Sequence, residues 1–209
     1  MALRMRSFVS VGSSAARILR AAAPILGLSA LFFMACSEDD TVAPLPGSEL
    51  DMYINEFMAS NSDAHTDEYG ETDDWIEVYN HSGEAIDLGG MFVTDDLTNL
   101  ARYRIPTTNP SLTTVAADSF VVIWADNQPE QGPLHTNFKL SASGESIALV
   151  ETDGASVVDH ITFAGQSGDI SYGRLPDGGD TWQFLGVSTP GASNRDRGMI
   201  PPFSDPSGD

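Results

Sequence analysis

The chain has 209 residues, 30 of them acidic and 10 basic, for a formal net charge of −20, and 41% of its residues are hydrophobic. That balance excludes charge-driven binding to DNA, RNA or an anionic bilayer face, because such contacts need clustered Lys and Arg. The lone cysteine, Cys36, excludes an internal disulfide framework and any thiolate site beyond it.

The first element in chain order is a targeting segment. Arg4, Arg6, Arg17 and Arg20 precede an apolar stretch from Ala21 to Met34, and Ala35 stands just before Cys36. A stretch of this length is too short for a permanent transmembrane helix and has the layout of a signal peptide. The segment resembles the lipobox of bacterial lipoproteins, although Phe33 and Met34 depart from its usual Leu and Ser or Ala. The resemblance implies residues 1–35 as signal peptide, a diacylated Cys36 and anchoring in the cell envelope. Ser37 rather than Asp after the cysteine favours the outer membrane, with the domain facing the periplasm or the cell surface. Each methylene of the lipid buried in the bilayer adds about 0.8 kcal/mol of anchoring. Two other readings stay open: a secretory signal cut after Ser37, and an uncleaved anchor.

Residues 36–49 read as an acidic tether and 198–209 as a loose tail rich in Pro, Ser, Asp and Gly. Between them, residues 50–197 make one domain, long enough to bury a sizeable core. Without the signal, the basic residues are Arg102, Arg104, Lys139, Arg174, Arg195 and Arg197, so the mature charge is about −24 (6 − 30). The pattern predicts an all-β domain with strands at 52–58, 75–80, 91–94, 102–105, 119–125, 137–140, 146–151, 157–163, 170–174 and 182–185. No helix of consequence is expected. In Trp75–Tyr79, Ile76 and Val78 share one face, and Trp75, Glu77 and Tyr79 share the other. Phe120–Trp124 is apolar on both faces, which predicts a strand central to a sandwich. Asp153-Gly154 and Asp177-Gly178-Gly179-Asp180 predict hairpin turns. Pro190-Gly191 is expected to stop the last strand.

Six motifs follow in order: Ile54-Asn55-Glu56-Phe57-Met58-Ala59-Ser60-Asn61; Asp74-Trp75-Ile76-Glu77-Val78-Tyr79-Asn80; Ile86-Asp87-Leu88-Gly89-Gly90-Met91 with Thr94-Asp95-Asp96; Phe138-Lys139-Leu140-Ser141 with Gly144-Glu145; Ser171-Tyr172-Gly173-Arg174; and Thr189-Pro190-Gly191-Ala192-Ser193-Asn194. Together they resemble a lamin tail domain of the bacterial type. The resemblance implies an immunoglobulin-like β-sandwich whose role is attachment or interaction, not catalysis. Physically, the glycines at 89, 90 and 173 suit tight turns or close backbone approach. Asn61, Asp95 and Asp96 suit loop starts, where short polar side chains bond nearby backbone.

No catalytic residue is assigned. His65, His81, His135 and His160 lack zinc-site spacing, and there is no nucleophile elbow, phosphate loop or dinucleotide fingerprint. The dense acidic loop 63–74 offers Asp63, Asp67, Glu71 and Asp73 as candidate calcium ligands, since calcium takes several carboxylate oxygens. Solvated loop charge is the other reading of the same residues. Trp75, Tyr79, Trp124 and Trp182 are either core or a platform for sugar rings. The leading expectation is therefore a non-enzymatic, lipid-anchored envelope domain that binds an unidentified protein or other macromolecule. The alternatives are a calcium- or glycan-binding adhesion module, or an accessory domain of an extracellular hydrolase system.

Overall fold

The computed structural model describes residues 45–194. The signal segment, Cys36, most of the tether and the tail from 198 lie outside the described residues. Eleven strands and one helical turn follow in order: β1 Met52–Met58, β2 Asp74–Asn80, β3 Ile86–Asp87, β4 Phe92–Thr94, β5 Tyr103–Arg104, α1 Pro110–Thr113, β6 Thr114–Val115, β7 Ser119–Ala125, β8 Gly144–Val150, β9 Val157–Ala164, β10 Ser171–Arg174 and β11 Trp182–Leu185. They form a five-stranded sheet ordered β11-β10-β1-β2-β7, a four-stranded sheet ordered β5-β4-β8-β9, and the pair β3-β6. Every named pairing is antiparallel.

The core lies between the two larger sheets. Ile76 and Val78 of β2 and Ile123 and Ala125 of β7 meet Val93 of β4 and Ile147 and Leu149 of β8 there. Strand β1 changes parity on the way. Met52 and Ile54 face the core, the register shifts between Ile54 and Glu56, and Phe57 faces the core next. One extra residue in a strand with a period of two has this effect. The bulge sends Glu56 and Met58 to the opposite face and sets Glu56 directly across from Glu77.

That opposite face is also buried. Met58, Trp75 and Trp124 form a second apolar cluster with Val122, and Glu56 and Glu77 are fully buried beside it. Two segments supply the cover. One is the β1–β2 loop, whose His65 ring meets Trp75 edge-on at 6.0 Å. The other is the strap 186–194, which bonds Glu56 and Glu77 through Thr189 and Gly191. Arg174 of β10 ties the two sheets together: its Nε donates to Ile54 O at 2.9 Å and its Nη2 meets Asp159 Oδ2 on β9 at 2.9 Å.

The fold departs from the sequence reading at four points. Strand β7 is the edge of its sheet, not its centre. On its outer face Trp124 is buried and Val122 half-buried, and loop residues cover this end: the backbone of Leu134 and Thr136 bonds Trp124 at 2.7 and 2.8 Å. Residues 137–140 make only an isolated bridge between Lys139 and Asp126 and bend at Asn137 and Phe138, so they are not a strand. Strand β11 ends at Leu185, well before Pro190, so Pro190-Gly191 shapes the strap instead. The two-residue strands β3 and β6 and the turn α1 are additional. The hairpin turns at Gly154 and Gly178 are present, each glycine with positive φ.

Candidate functional site

Chemistry-bearing side chains gather in two places. The first lies between the β1–β2 loop and the loop after β7. Asn61 shapes the former: its Nδ2 donates to the carbonyls of His65 and Asp73 at 2.7 Å each, and its Oδ1 accepts from the amides of Ala64 and His65. Farther along, Asp67 Oδ1 accepts from the amides of Tyr69 and Glu71 at 2.8 Å each. These are the local bonds that Asn and Asp make at turns. Both residues are thereby held inside the loop, with Asp67 only 8% exposed.

The second loop brings Asp126 and His135, each 1% exposed. His135 Nδ1 lies 2.5 Å from Asp126 Oδ2, and its Nε2 lies 3.2 Å from Glu68 Oε1 on the first loop. Tyr69 packs edge-on against the imidazole at 5.8 Å, and its hydroxyl donates to Gln131 O at 2.8 Å. Gln131 Nε2 in turn donates to Glu71 Oε2 at 2.8 Å. Lys139 Nζ meets Asp73 Oδ1 at 2.9 Å. Burial pulls the His135 pKa down, but hydrogen bonds to Asp126 and Glu68, and their charges, leave it raised overall. The hydrogen bond to Asp73 likewise raises Lys139.

Of the four candidate calcium ligands, the structure brings three together. Donor atoms of Asp67, Glu71 and Asp73 all lie within 4.8 Å of one another. Asp63 stands apart: it is exposed, and its amide bonds Asp169 Oδ1 at 2.9 Å. A second trio, Asp67, Asp126 and His135, meets the same distance limit and is buried throughout. Asp126 and His135 carry no signal in the sequence, because eight residues of irregular loop separate them and only the docking of that loop brings them to Asp67.

The second place is the covered face under the strap. Glu56 accepts from the Thr189 amide and hydroxyl at 3.1 and 2.9 Å. Glu77 accepts from Asn55 Nδ2 at 2.9 Å and from the Gly191 amide at 2.6 Å. Asn194 closes the strap by donating to Asn55 O at 3.1 Å and Arg174 O at 2.8 Å. A Cβ on Gly173 would stand 2.8 Å from Asn194 Nδ2, so only glycine admits this approach. Burial pushes the Glu77 pKa up to about 8, with the Glu56 charge adding to the rise, and burial raises Glu56 too. No salt bridge to either carboxylate occurs among the described residues.

The aromatic candidates sit in or against the core. Trp75 is fully buried, and Tyr79 and Trp124 are 8% and 9% exposed. Trp182 is half-buried, stacked on Tyr172 at 5.4 Å with the Arg174 guanidinium 4.7 Å from its ring centre. His65 meets Ser188 Oγ at 2.6 Å and His81 meets the Tyr79 hydroxyl at 3.0 Å, while His160 is exposed on β9.

Neither the curated proteins nor the solved structures contain a match to this chain. The lamin tail domain family model matches residues 47–165, more than half of the 209-residue sequence, and runs through β1 to β9. That domain is a non-catalytic, immunoglobulin-like module, and the two-sheet antiparallel architecture agrees with it. The chain belongs to the lamin tail domain family.

Proposed function

We propose that this protein is a lipid-anchored module of the bacterial cell envelope that acts by binding another macromolecule, without catalysing a reaction. The observation that carries the reading is the family match across β1 to β9, since a non-catalytic module works through its surface. The basic and apolar segments before Cys36, and its place as the only cysteine, support the anchor. On such a sandwich, recognition falls to loops and exposed sheet edges. The exposed Leu112 and Val187, at 51% and 50%, are suitable sites for contact probes. The burial of Trp75, Tyr79 and Trp124 takes those rings away from sugar stacking.

The test is metabolic labelling of the full chain in a bacterial host with an alkyne-bearing fatty acid. The wild type is expected to carry the label and to fractionate with the outer membrane, and Cys36→Ala is expected to lose both. An unlabelled wild type would overturn the anchor. Photo-crosslinkers placed at positions 112 and 187 of the anchored protein then test the binding role. A discrete crosslinked species that Cys36→Ala abolishes is the expected result. Turnover of ester, phosphodiester or peptide substrates by the purified chain would overturn the non-catalytic reading.

A further inference from the structure

The contact between the two loops gathers more negative charge than its basic neighbours offset. Among the described residues, Asp67, Glu68, Glu71, Asp73 and Asp126 face only His135 and Lys139 as basic partners, five against two. Asp67, Asp73 and Asp126 are 8%, 7% and 1% exposed, so water does little for them. Asp67 Oδ1 is used twice by backbone amides, yet its Oδ2 is buried and has no hydrogen-bond partner. A carboxylate oxygen removed from water and left without a donor is costly unless a cation faces it. The same Asp67 belongs to both groups of converging donor atoms.

We propose that Asp67, Asp126 and His135 form a binding site for a divalent transition-metal ion of the zinc or manganese kind. An imidazole nitrogen beside carboxylate oxygens is a donor set these ions accept, whereas calcium takes oxygen ligands only. His135 now contacts a carboxylate through each ring nitrogen. It gives one of these contacts to the ion and keeps the other, in the manner of metal-bound histidines, which hold a carboxylate or carbonyl on the second nitrogen. Glu68, Glu71 and Asp73 lie around this trio as further oxygen donors. The ion joins the β1–β2 loop to the loop after β7. The domain has no cysteine to tie these loops with a disulfide. A metal that binds only the folded arrangement stabilises it by mass action.

The experiment uses the full chain, stripped with a chelator and then titrated with zinc, manganese or calcium. It reads thermal unfolding, and metal content after dialysis. One zinc or manganese ion per chain is expected, with a saturable rise in the melting midpoint of about 5–10 °C at a hundredfold excess over Kd. Asp67→Asn should abolish the rise. An asparagine keeps the Oδ1 acceptor for Tyr69 and Glu71, so the turn survives and the test does not depend on a variant that fails to fold. His135→Gln should abolish it as well, and Asp63→Asn, in the same loop but outside the trio, should leave it intact. A wild type that neither binds nor responds overturns the proposal. So does an equal response in Asp67→Asn and Asp63→Asn, which would reflect surface charge alone. A response to calcium only, unchanged in His135→Gln, overturns the imidazole site in favour of the oxygen set Asp67, Glu71 and Asp73.

Discussion

The two groups of buried carboxylates in this domain are held by opposite means. Between the loops, Asp73 meets the Lys139 ammonium and Asp126 bonds the His135 imidazole, so basic side chains face the carboxylates. Under the strap, Glu56 and Glu77 stand directly opposite each other on adjacent strands and receive only neutral donors: amides, a hydroxyl and an asparagine side chain. Amide donors satisfy the hydrogen bonding of a carboxylate but supply no counter-charge. Two such groups facing each other in a dry site therefore resist ionising together. The strap pair accordingly keeps a proton at pH values where ordinary carboxylates have lost theirs, and Glu77 does so up to about pH 8.

The largest effect tests this contrast through pH. The folded-state pKa of Glu77 is raised to about 8 from 4.5. Between those values the native state binds more protons than the unfolded one, so the stability contribution of Glu77 is full below pH 4.5 and is lost as pH rises towards 8. The loss runs at up to about 1.4 kcal/mol per pH unit and totals a few kcal/mol. Glu77→Gln cannot ionise, and its amide N–H meets either Asn55 Nδ2 or the Gly191 amide, so at pH 5 it should be less stable by about 1–3 kcal/mol. By pH 8 the variant should equal or exceed the wild type in urea unfolding. A difference between the two chains that stays constant from pH 5 to 8 would mean that Glu77 is ionised throughout, and the contrast would fail.

The sequence made the strands legible where residue type and turn signals agreed. The bounds 52–58, 119–125 and 182–185 match β1, β7 and β11, because runs of β-branched and aromatic residues end at loop formers. The division of β2 into Ile76 and Val78 on one face and Trp75, Glu77 and Tyr79 on the other also holds. What local pattern does not contain is the cover over the second face. Glu77 reads as the polar member of an outward face, but the strap that buries it lies at 186–194, more than a hundred residues away. The same ignorance of cover turned the two-sided apolarity of β7 into an expectation of a central strand. At the acidic loop, the density of carboxylates offered Asp63, Asp67, Glu71 and Asp73 together, and only the folded loop separates Asp63 from the other three. Asp126 and His135 enter by loop docking, which has no period to read.

A smaller effect separates strap closure from ionisation. Asn194→Ala removes two donations to buried carbonyls, those of Asn55 and Arg174, and the acceptor for Thr189 Oγ1. Orphaned buried acceptors cost about 1–3 kcal/mol, so destabilisation of about 2 kcal/mol is expected at pH 5 and pH 8 alike. The variant retains Glu56 and Glu77, so its stability should keep falling with pH as the wild type's does. A variant whose pH slope vanishes would show that the strap, and not the pairing of the two glutamates, sets their titration.

The smallest effect belongs to the charge-paired region. The Lys139 side chain is 58% exposed while Asp73 is 8% exposed, so solvent screens the pair from the lysine side. Exposed ion pairs contribute about 0–1 kcal/mol. Lys139→Met should therefore cost less than about 1 kcal/mol in urea unfolding at low salt, and the cost should shrink further in 1 M salt, where the screening length falls to about 3 Å. Asp73 is held from the backbone side as well, because its carbonyl accepts from Asn61 Nδ2, so the loop should keep its shape. A loss of several kcal/mol would instead mean that Asp73 depends on this one cation in the way a fully buried charge does. The loop region would then be the fragile one, and the strap pair, held by its neutral donors, the more robust of the two.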